Sequence, residues 1–249
     1  MDDHTLARRL ADAARDLLLR LRTDRTDLHG ADLGREGDRL AHEQLVAALA
    51  HHRPDDAVLS EEGGPVPTDR RTGRLWIVDP LDGTREYCDR SRGDWAVHVA
   101  LADGGTLVAG AVALASGHTH ATDAPTPLPP PARRARPRVV VSRSHRPALV
   151  DALADVLDVD LVPLGSAGIK TAAVCTGDAD AYVHAGGQYE WDSAAPVAVA
   201  AAAGAHTSRI DGSPLVYATP GSSIPDLLVC RPELASTLLT ALATARTRP

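Results

Sequence analysis

The sequence predicts a mixed fold, α+β in its front half and α/β in its back half. Three observations carry this reading. Two helical stripes open the chain and short apolar runs with turn residues follow them. A proline-rich stretch, residues 125–137, interrupts the chain near its middle. Beyond it, strand and helix patterns alternate.

Residues 5–22 carry Leu6, Leu10, Ala13, Leu17 and Leu21 at helical spacing, with Arg and Asp on the opposite face. Residues 23–35 are polar and contain glycine, so they read as a loop. A second helix is expected from about Asp38 to His51, with Leu40, Leu45, Val46 and Leu49 inward. Ala57–Ser60 reads as a short strand that ends at Glu61. Residues 63–74 form a Gly/Pro/Arg-rich loop, expected to be mobile. Leu75–Asp79 is the next strand, and it runs into Asp79-Pro80-Leu81-Asp82-Gly83-Thr84. Trp95–Leu101 alternates like a half-buried strand, and Thr106–Leu114 is its partner across Asp103-Gly104-Gly105.

Proline cannot donate to a ladder and stiffens the chain, so residues 125–137 read as a linker. The expected halves are 1–124 and 138–249. The second half predicts strand 138–142, helix 146–158, strand 159–164 and helix 166–177. Strand 181–184, helix 192–203, strand 226–230 and a helix from Pro232 complete it.

Composition narrows the function. At 249 residues, 44 % hydrophobic and 24 % charged, the chain has the make-up of an ordinary soluble protein. A net charge of −7 argues against a nucleic-acid polymer as main partner, because phosphate backbones are bound by basic patches. No apolar run approaches the roughly 20 residues that span a bilayer. The opening MDDHTLARRL lacks the apolar core of a signal peptide. Cys88, Cys175 and Cys230 have no metal-ligand spacing and read as reduced thiols in a cytoplasm. Among 26 basic residues only Lys170 is a lysine, and the chain has no Phe. A lone lysine surviving such drift marks a site where a planar guanidinium will not serve, unless it survived by chance.

The stretch Trp76–Tyr87, WIVDPLDGTREY, is the most informative. It reads as a buried strand delivering Asp79 and Asp82 onto a tight turn. Two carboxylates and the Leu81 carbonyl could surround one hard cation, since Mg²⁺ takes oxygen ligands in near-octahedral geometry. The same residues also suit an ordinary Pro-Asp-Gly turn.

This stretch resembles the D-P-[ILV]-D-G-T-x-[NE]-[FY] signature of the inositol monophosphatase-like, Mg²⁺-dependent, lithium-sensitive phosphatases. Glu61-Glu62 upstream and Glu190-Trp191-Asp192-Ser193-Ala194-Ala195-Pro196 downstream stand where that family places its other signatures. The resemblance covers about residues 36–230 and implies a layered α-β-α-β-α sandwich with the site between the halves. It implies two or three Mg²⁺ ions. Glu61, Asp79 and the Leu81 carbonyl would bind the activating ion, and Asp79, Asp82 and Asp192 a second. Glu61 is favoured over Glu62, though SEEGG also reads as a solvated turn.

Other roles follow from the same resemblance. Thr84 would orient the attacking water, with Asp38 and Glu61 assisting as general base. Gly83 would let the backbone approach the phosphate. Asp38 and Asp192 each stand at a predicted helix start, so both could instead be N-caps. Ser142-Arg143-Ser144-His145 and Gly165-Ser166-Ala167-Gly168-Ile169-Lys170 resemble the CysQ-type 3′(2′),5′-bisphosphate nucleotidase branch. There Ser142, His145, Ser166 and Lys170 would contact the nucleotide, although the SRSH hydroxyls could equally satisfy their own loop. The implied reaction removes the 3′-phosphate of 3′-phosphoadenosine 5′-phosphate, a small-molecule ester, in a possible homodimer. Alternatives are an inositol-1-phosphate or fructose-1,6-bisphosphate phosphatase, or a non-catalytic metal or nucleotide sensor on the same fold.

Overall fold

The computed structural model describes residues 1–63, 73–219 and 221–247. Most of the 63–74 loop therefore lies outside the described residues. Two long helices come first, α1 (Asp3–Asp24) and α2 (Gly30–His52). Asp2 caps α1 by accepting from the Thr5 amide at 2.8 Å. Helix α2 starts at Gly30 rather than near Asp38. Gly34 and Gly37 look like loop signals, but each allows a close approach. A Cβ at Gly34 would lie 2.8 Å from the Cys88 sulfur, and one at Gly37 would lie 2.9 Å from the Tyr87 ring. Asp38 thus stands inside α2 and is not its N-cap.

The first sheet has the spatial order β1 (Ala57–Ser60), β2 (Arg74–Asp82), β3 (Ala96–Asp103), β4 (Thr106–Leu114), β5 (Thr119–Ala121). Strands β1 and β2 are parallel and the other pairs antiparallel. Side chains of β2 alternate between two cores, as the pleat requires. Trp76 and Val78 pack with Leu6, Leu18 and Leu45 of α1 and α2. Leu75 and Ile77 point the other way, into a core shared with Ala194 and Ala195. A short helix, α3 (Thr84–Cys88), follows β2.

The second sheet comprises β6 (Arg138–Ser142), β7 (Asp160–Leu164), β8 (Ala181–Tyr189), β9 (His206–Ser208) and β10 (Ser223–Cys230), in the order β7-β6-β8-β10-β9. Helices α5 (Ala167–Cys175) and α6 (Glu190–Ala202) contribute to the core that also holds Val140, Tyr182 and Leu227 of this sheet. They lie between the two sheets. Helices α4 (Ala148–Val156) and α7 (Ala235–Arg246) cover the outer face over Val139, Val141 and Leu228. The layers run α-β-α-β-α, as expected. Residues 125–137 form neither helix nor strand. They are tied to the second half where the Leu128 amide donates to the Ala203 carbonyl at 3.1 Å and Arg134 pairs with Asp180 at 3.1 Å.

Two strands run further than the sequence suggested. Strand β2 continues through Pro80 and Leu81 to Asp82, with a register shift between Asp79 and Asp82. Strand β8 passes His184 and ends at Tyr189. Gly186 and Gly187 read as a break, but both take a left-handed φ (96° and 88°) inside the strand, opposite a register shift in β10. Strands β5 and β9, three residues each, were missed because they are too short for any alternation to register.

Candidate active site

The β2 irregularity brings the acids together. In a regular strand, residues three apart face opposite sides. Asp79 pairs with His98 and Asp82 with Ala96, so Pro80 and Leu81 together oppose Val97 alone. This bulge re-aims Asp82 onto the face that carries Asp79. Pro80 has no amide hydrogen to lose there. Asp192 arrives from the first turn of α6. Among the described residues, Asp79, Asp82 and Asp192 form a group whose carboxylate oxygens lie within 4.8 Å of one another.

Each acid is held differently. Asp79 is buried, and Oδ1 accepts from the Leu81 amide at 3.0 Å. Burial, then the charges of Asp82, Glu61 and Asp192, push its carboxyl well above the usual range. Asp82 is buried too, which opposes its ionisation, yet His98, Lys170 and Ser166 outweigh burial and hold its carboxyl low. Its Oδ2 accepts from the Ser166 hydroxyl and from the Gly168 amide at 2.8 Å. His98 Nε2 stands 3.1 Å from the same oxygen but is not aligned as a hydrogen bond. Asp192 is the third residue of α6 rather than its N-cap. Its Oδ2 accepts from the Tyr189 amide at 2.8 Å, so it does cap the helix while belonging to the acidic group. Burial and then Asp82 raise it to about 6. Glu190, beside it in sequence, is wholly buried and accepts from the Ala218 and Thr219 amides at 3.1 and 2.8 Å, so it braces a loop.

Glu61 and Glu62 follow β1 and are solvent-exposed. Neither belongs to the three-carboxylate group. Glu61 lies near enough that partial desolvation, then Asp192, Glu62 and Asp82, push it up to about 7. Asp38 sits across from Thr84, whose hydroxyl is 3.5 Å from Asp38 Oδ2 and donates to the Leu81 carbonyl at 3.1 Å. Burial, then Glu61 and Glu62, raise Asp38 to about 7. Gly83 takes a left-handed φ of 92°, and a Cβ there would lie 3.3 Å from Ser166 Cβ and the Asp94 carbonyl. Conformation and this close packing therefore demand glycine at that turn.

A cavity of about 490 Å³ opens above Asp82 and Asp192. Gly83, Thr84, Ser142, His145, Ser166 and Lys170 all line it. Asp79, Asp38, Glu61 and Leu81 lie outside its lining. The Lys170 ammonium is buried, 3.4 Å from the Gly165 carbonyl and 5.2 Å from the centre of the Tyr182 ring. Burial lowers its pKa while Asp82 and Asp192 pull the other way. Ser142 Oγ accepts from the His145 amide at 3.1 Å, so that hydroxyl does satisfy its own loop. Ser166 Oγ likewise serves Asp82 and accepts from the Ile169 amide at 3.0 Å. Sequence reasoning missed Tyr182, His184 and Tyr189, which also line the cavity, and His98 beside Asp82. A lone histidine in an apolar strand gives no local signal, and the Gly186-Gly187 pair hid that β8 reaches the cavity.

Comparison with known proteins agrees with this architecture. The profile of the inositol monophosphatase family matches residues 3–124 and 129–246. The chain belongs to that family. It is 43 % identical to a 3′-phosphoadenosine 5′-phosphate phosphatase of Mycobacterium leprae, over 96 % of this chain and 93 % of that one. It is 38 % identical to the 3′(2′),5′-bisphosphate nucleotidase CysQ of Escherichia coli, over 75 % of this chain and 79 % of the other. The crystal structure of CysQ from Bacteroides thetaiotaomicron superposes with a TM-score of 0.75 at 30 % identity, covering 89 % of this chain and 94 % of that one. Among the described residues no helix is long and apolar enough to cross a membrane.

Proposed function

We propose that this protein is a Mg²⁺-dependent phosphomonoesterase that hydrolyses the 3′-phosphate of 3′-phosphoadenosine 5′-phosphate, releasing AMP. The observation that carries the reading is the meeting of a three-carboxylate group, two of its acids buried, with a cavity that holds the chain's one lysine. The donor set fits the metal: three carboxylate oxygens in one place repel each other, and hard oxygen ligands suit Mg²⁺. Asp79, Asp82 and Asp192 would hold it, with Glu61 and the Leu81 carbonyl as further ligands. When bound, two or three such ions would neutralise phosphate charge and acidify water.

The chain's own groups supply the rest. The Ser166 hydroxyl and Gly168 amide fix Asp82, so one carboxylate stays ionised and oriented. Thr84 positions the attacking water, and Asp38, raised to about 7, takes the proton through it. The buried Lys170 ammonium meets an anionic group of the substrate, where a compact charge fits and a guanidinium does not. Ser142 and His145 border the nucleotide's place. The relatives named for this activity support the choice of ester. The three free thiols suit a reducing cytoplasm.

Phosphate release with Mg²⁺ from 3′-phosphoadenosine 5′-phosphate, inositol 1-phosphate and fructose 1,6-bisphosphate tests the reading. The nucleotide should exceed the other two by at least ~10-fold in kcat/KM, because a pocket built for polar contacts discriminates strongly. Preference for inositol 1-phosphate would refute the nucleotide assignment.

A further inference from the structure

We propose that Tyr189 is the stacking platform for the substrate's purine, and so the residue that sets nucleotide over non-nucleotide esters. The inference rests on the nucleotidase reading above and adds the group that recognises the base. The chain is poor in aromatic side chains, with four tyrosines, three tryptophans and no phenylalanine. Tyr87, Tyr182 and Tyr217 are at most 1 % exposed, and Trp76 and Trp95 are fully buried. Trp191 is partly buried, and among these rings only Tyr189 is largely exposed, at 55 %. Leaving a large ring in water costs hydrophobic free energy that a merely structural tyrosine would recover by burial.

The position of the ring explains the exposure. Tyr189 lines the same cavity as Asp82, Asp192 and Lys170. Its ring stacks on the Trp191 indole, with centroids 4.4 Å apart and planes 11° from parallel. Trp191 is itself packed against the central core. One face of Tyr189 is therefore fixed by a core-anchored aromatic, and the ring is held at the cavity. A pre-set aromatic surface costs little entropy when a flat ligand joins it. Purines have a π face that stacks on such rings irrespective of hydrogen-bond pattern. An inositol or a sugar has none.

The local backbone supports the placement. Gly186 and Gly187 take left-handed φ values, and a Cβ at Gly186 would lie 2.9 Å from His145 Nε2. Strand β8 bends there and delivers Tyr189 beside the acids. The Tyr189 backbone amide, not its ring, donates to Asp192. Changing the side chain leaves that hydrogen bond available, so loss of the ring can be read separately from loss of the acidic group.

The test compares wild type, Tyr189→Ala and Tyr189→Trp on 3′-phosphoadenosine 5′-phosphate and on its base-free analogue, 1,4-anhydroribitol 3,5-bisphosphate. AMP binding is measured in parallel by calorimetry. The alanine variant should lower the ratio of kcat/KM for nucleotide over base-free ester by about 10-fold and weaken AMP binding by about the same factor. Tyr189→Trp should keep both within about 3-fold of wild type, since it restores a flat aromatic face. An equal fall on both esters, or unaltered AMP affinity in Tyr189→Ala, would overturn the stacking role while the nucleotidase reading stands. A wild type that hydrolyses inositol 1-phosphate but neither binds AMP nor cleaves the nucleotide would overturn both.

Discussion

The floor and the wall of the cavity are built by opposite means. The floor is acidic and comes largely from one strand: Asp79 and Asp82 are set by a ladder register and a bulge, and buried polar partners fix them. The wall is assembled largely from the ends of elements in the second half: Ser142 at the end of β6, Ser166 before α5, and Tyr189 at the end of β8. A register cannot drift without flipping a whole strand, so the floor is rigid by construction. Loop and helix-end positions can change one residue at a time. Under the proposed function, general chemistry belongs to the floor and choice of ester to the wall.

The largest effect that would break this division is on the floor. Asp82→Asn should reduce phosphate release by about 10³-fold or more, because it removes the one acid of the group held firmly ionised. Retention of turnover within about 10-fold, in a stopped assay of released phosphate, would place the chemistry elsewhere. On the wall, Lys170→Met should raise the KM for the nucleotide about 10- to 100-fold with a smaller change in kcat, and Lys170→Arg should not rescue it. Full rescue by arginine would show that charge alone matters there.

The floor should also respond to pH when metal is withheld. Asp79, Asp192, Glu61 and Asp38 all have folded pKa values raised above their unfolded ones. Their protonated forms therefore add stability that is complete below roughly pH 4, and the share of Asp192, Glu61 and Asp38 is lost as pH rises through 6 to 7. In chelator, Tm should fall by on the order of 5 °C between pH 5 and pH 8, and Mg²⁺ should restore most of it at pH 8. A Tm that rises over that window would contradict the shared site. The smallest effect concerns the helix behind the floor. Gly34→Ala would stabilise an exposed helix position by up to ~1 kcal/mol. Here the added methyl meets Cys88 and Thr84 at 2.8 and 2.9 Å, so denaturant titration should instead show a loss of about 1–3 kcal/mol.

The same division explains what could be read from the sequence. Asp79, Leu81, Asp82 and Thr84 lie within a few residues of each other, so the pairing of Asp79 with Asp82 was legible in one short segment. The helix and strand order was legible too, because most elements are long enough to show a period. The bulge was not: Pro80 and Gly83 announce a turn, and only cross-strand pairing with β3 reveals a continuing strand. The starts of α2 and the end of β8 were hidden by glycines whose purpose is close packing or a left-handed φ. Ser166 was legible as polar and near the site, but its bond to Asp82 crosses 84 positions and leaves no local trace. His98 was invisible for the same reason, its partners Asp82 and Trp191 coming from other segments, and Tyr189 because the glycine pair before it hid that β8 reaches the cavity.

The most direct test is diffraction from crystals of the protein grown with AMP and Mn²⁺, which stands in for Mg²⁺ and scatters anomalously. An anomalous peak shared by the carboxylates of Asp79, Asp82 and Asp192, with the nucleotide in the cavity above it, is the result expected. Crystals that hold AMP there while those three side chains carry no peak at saturating Mn²⁺ would contradict the account.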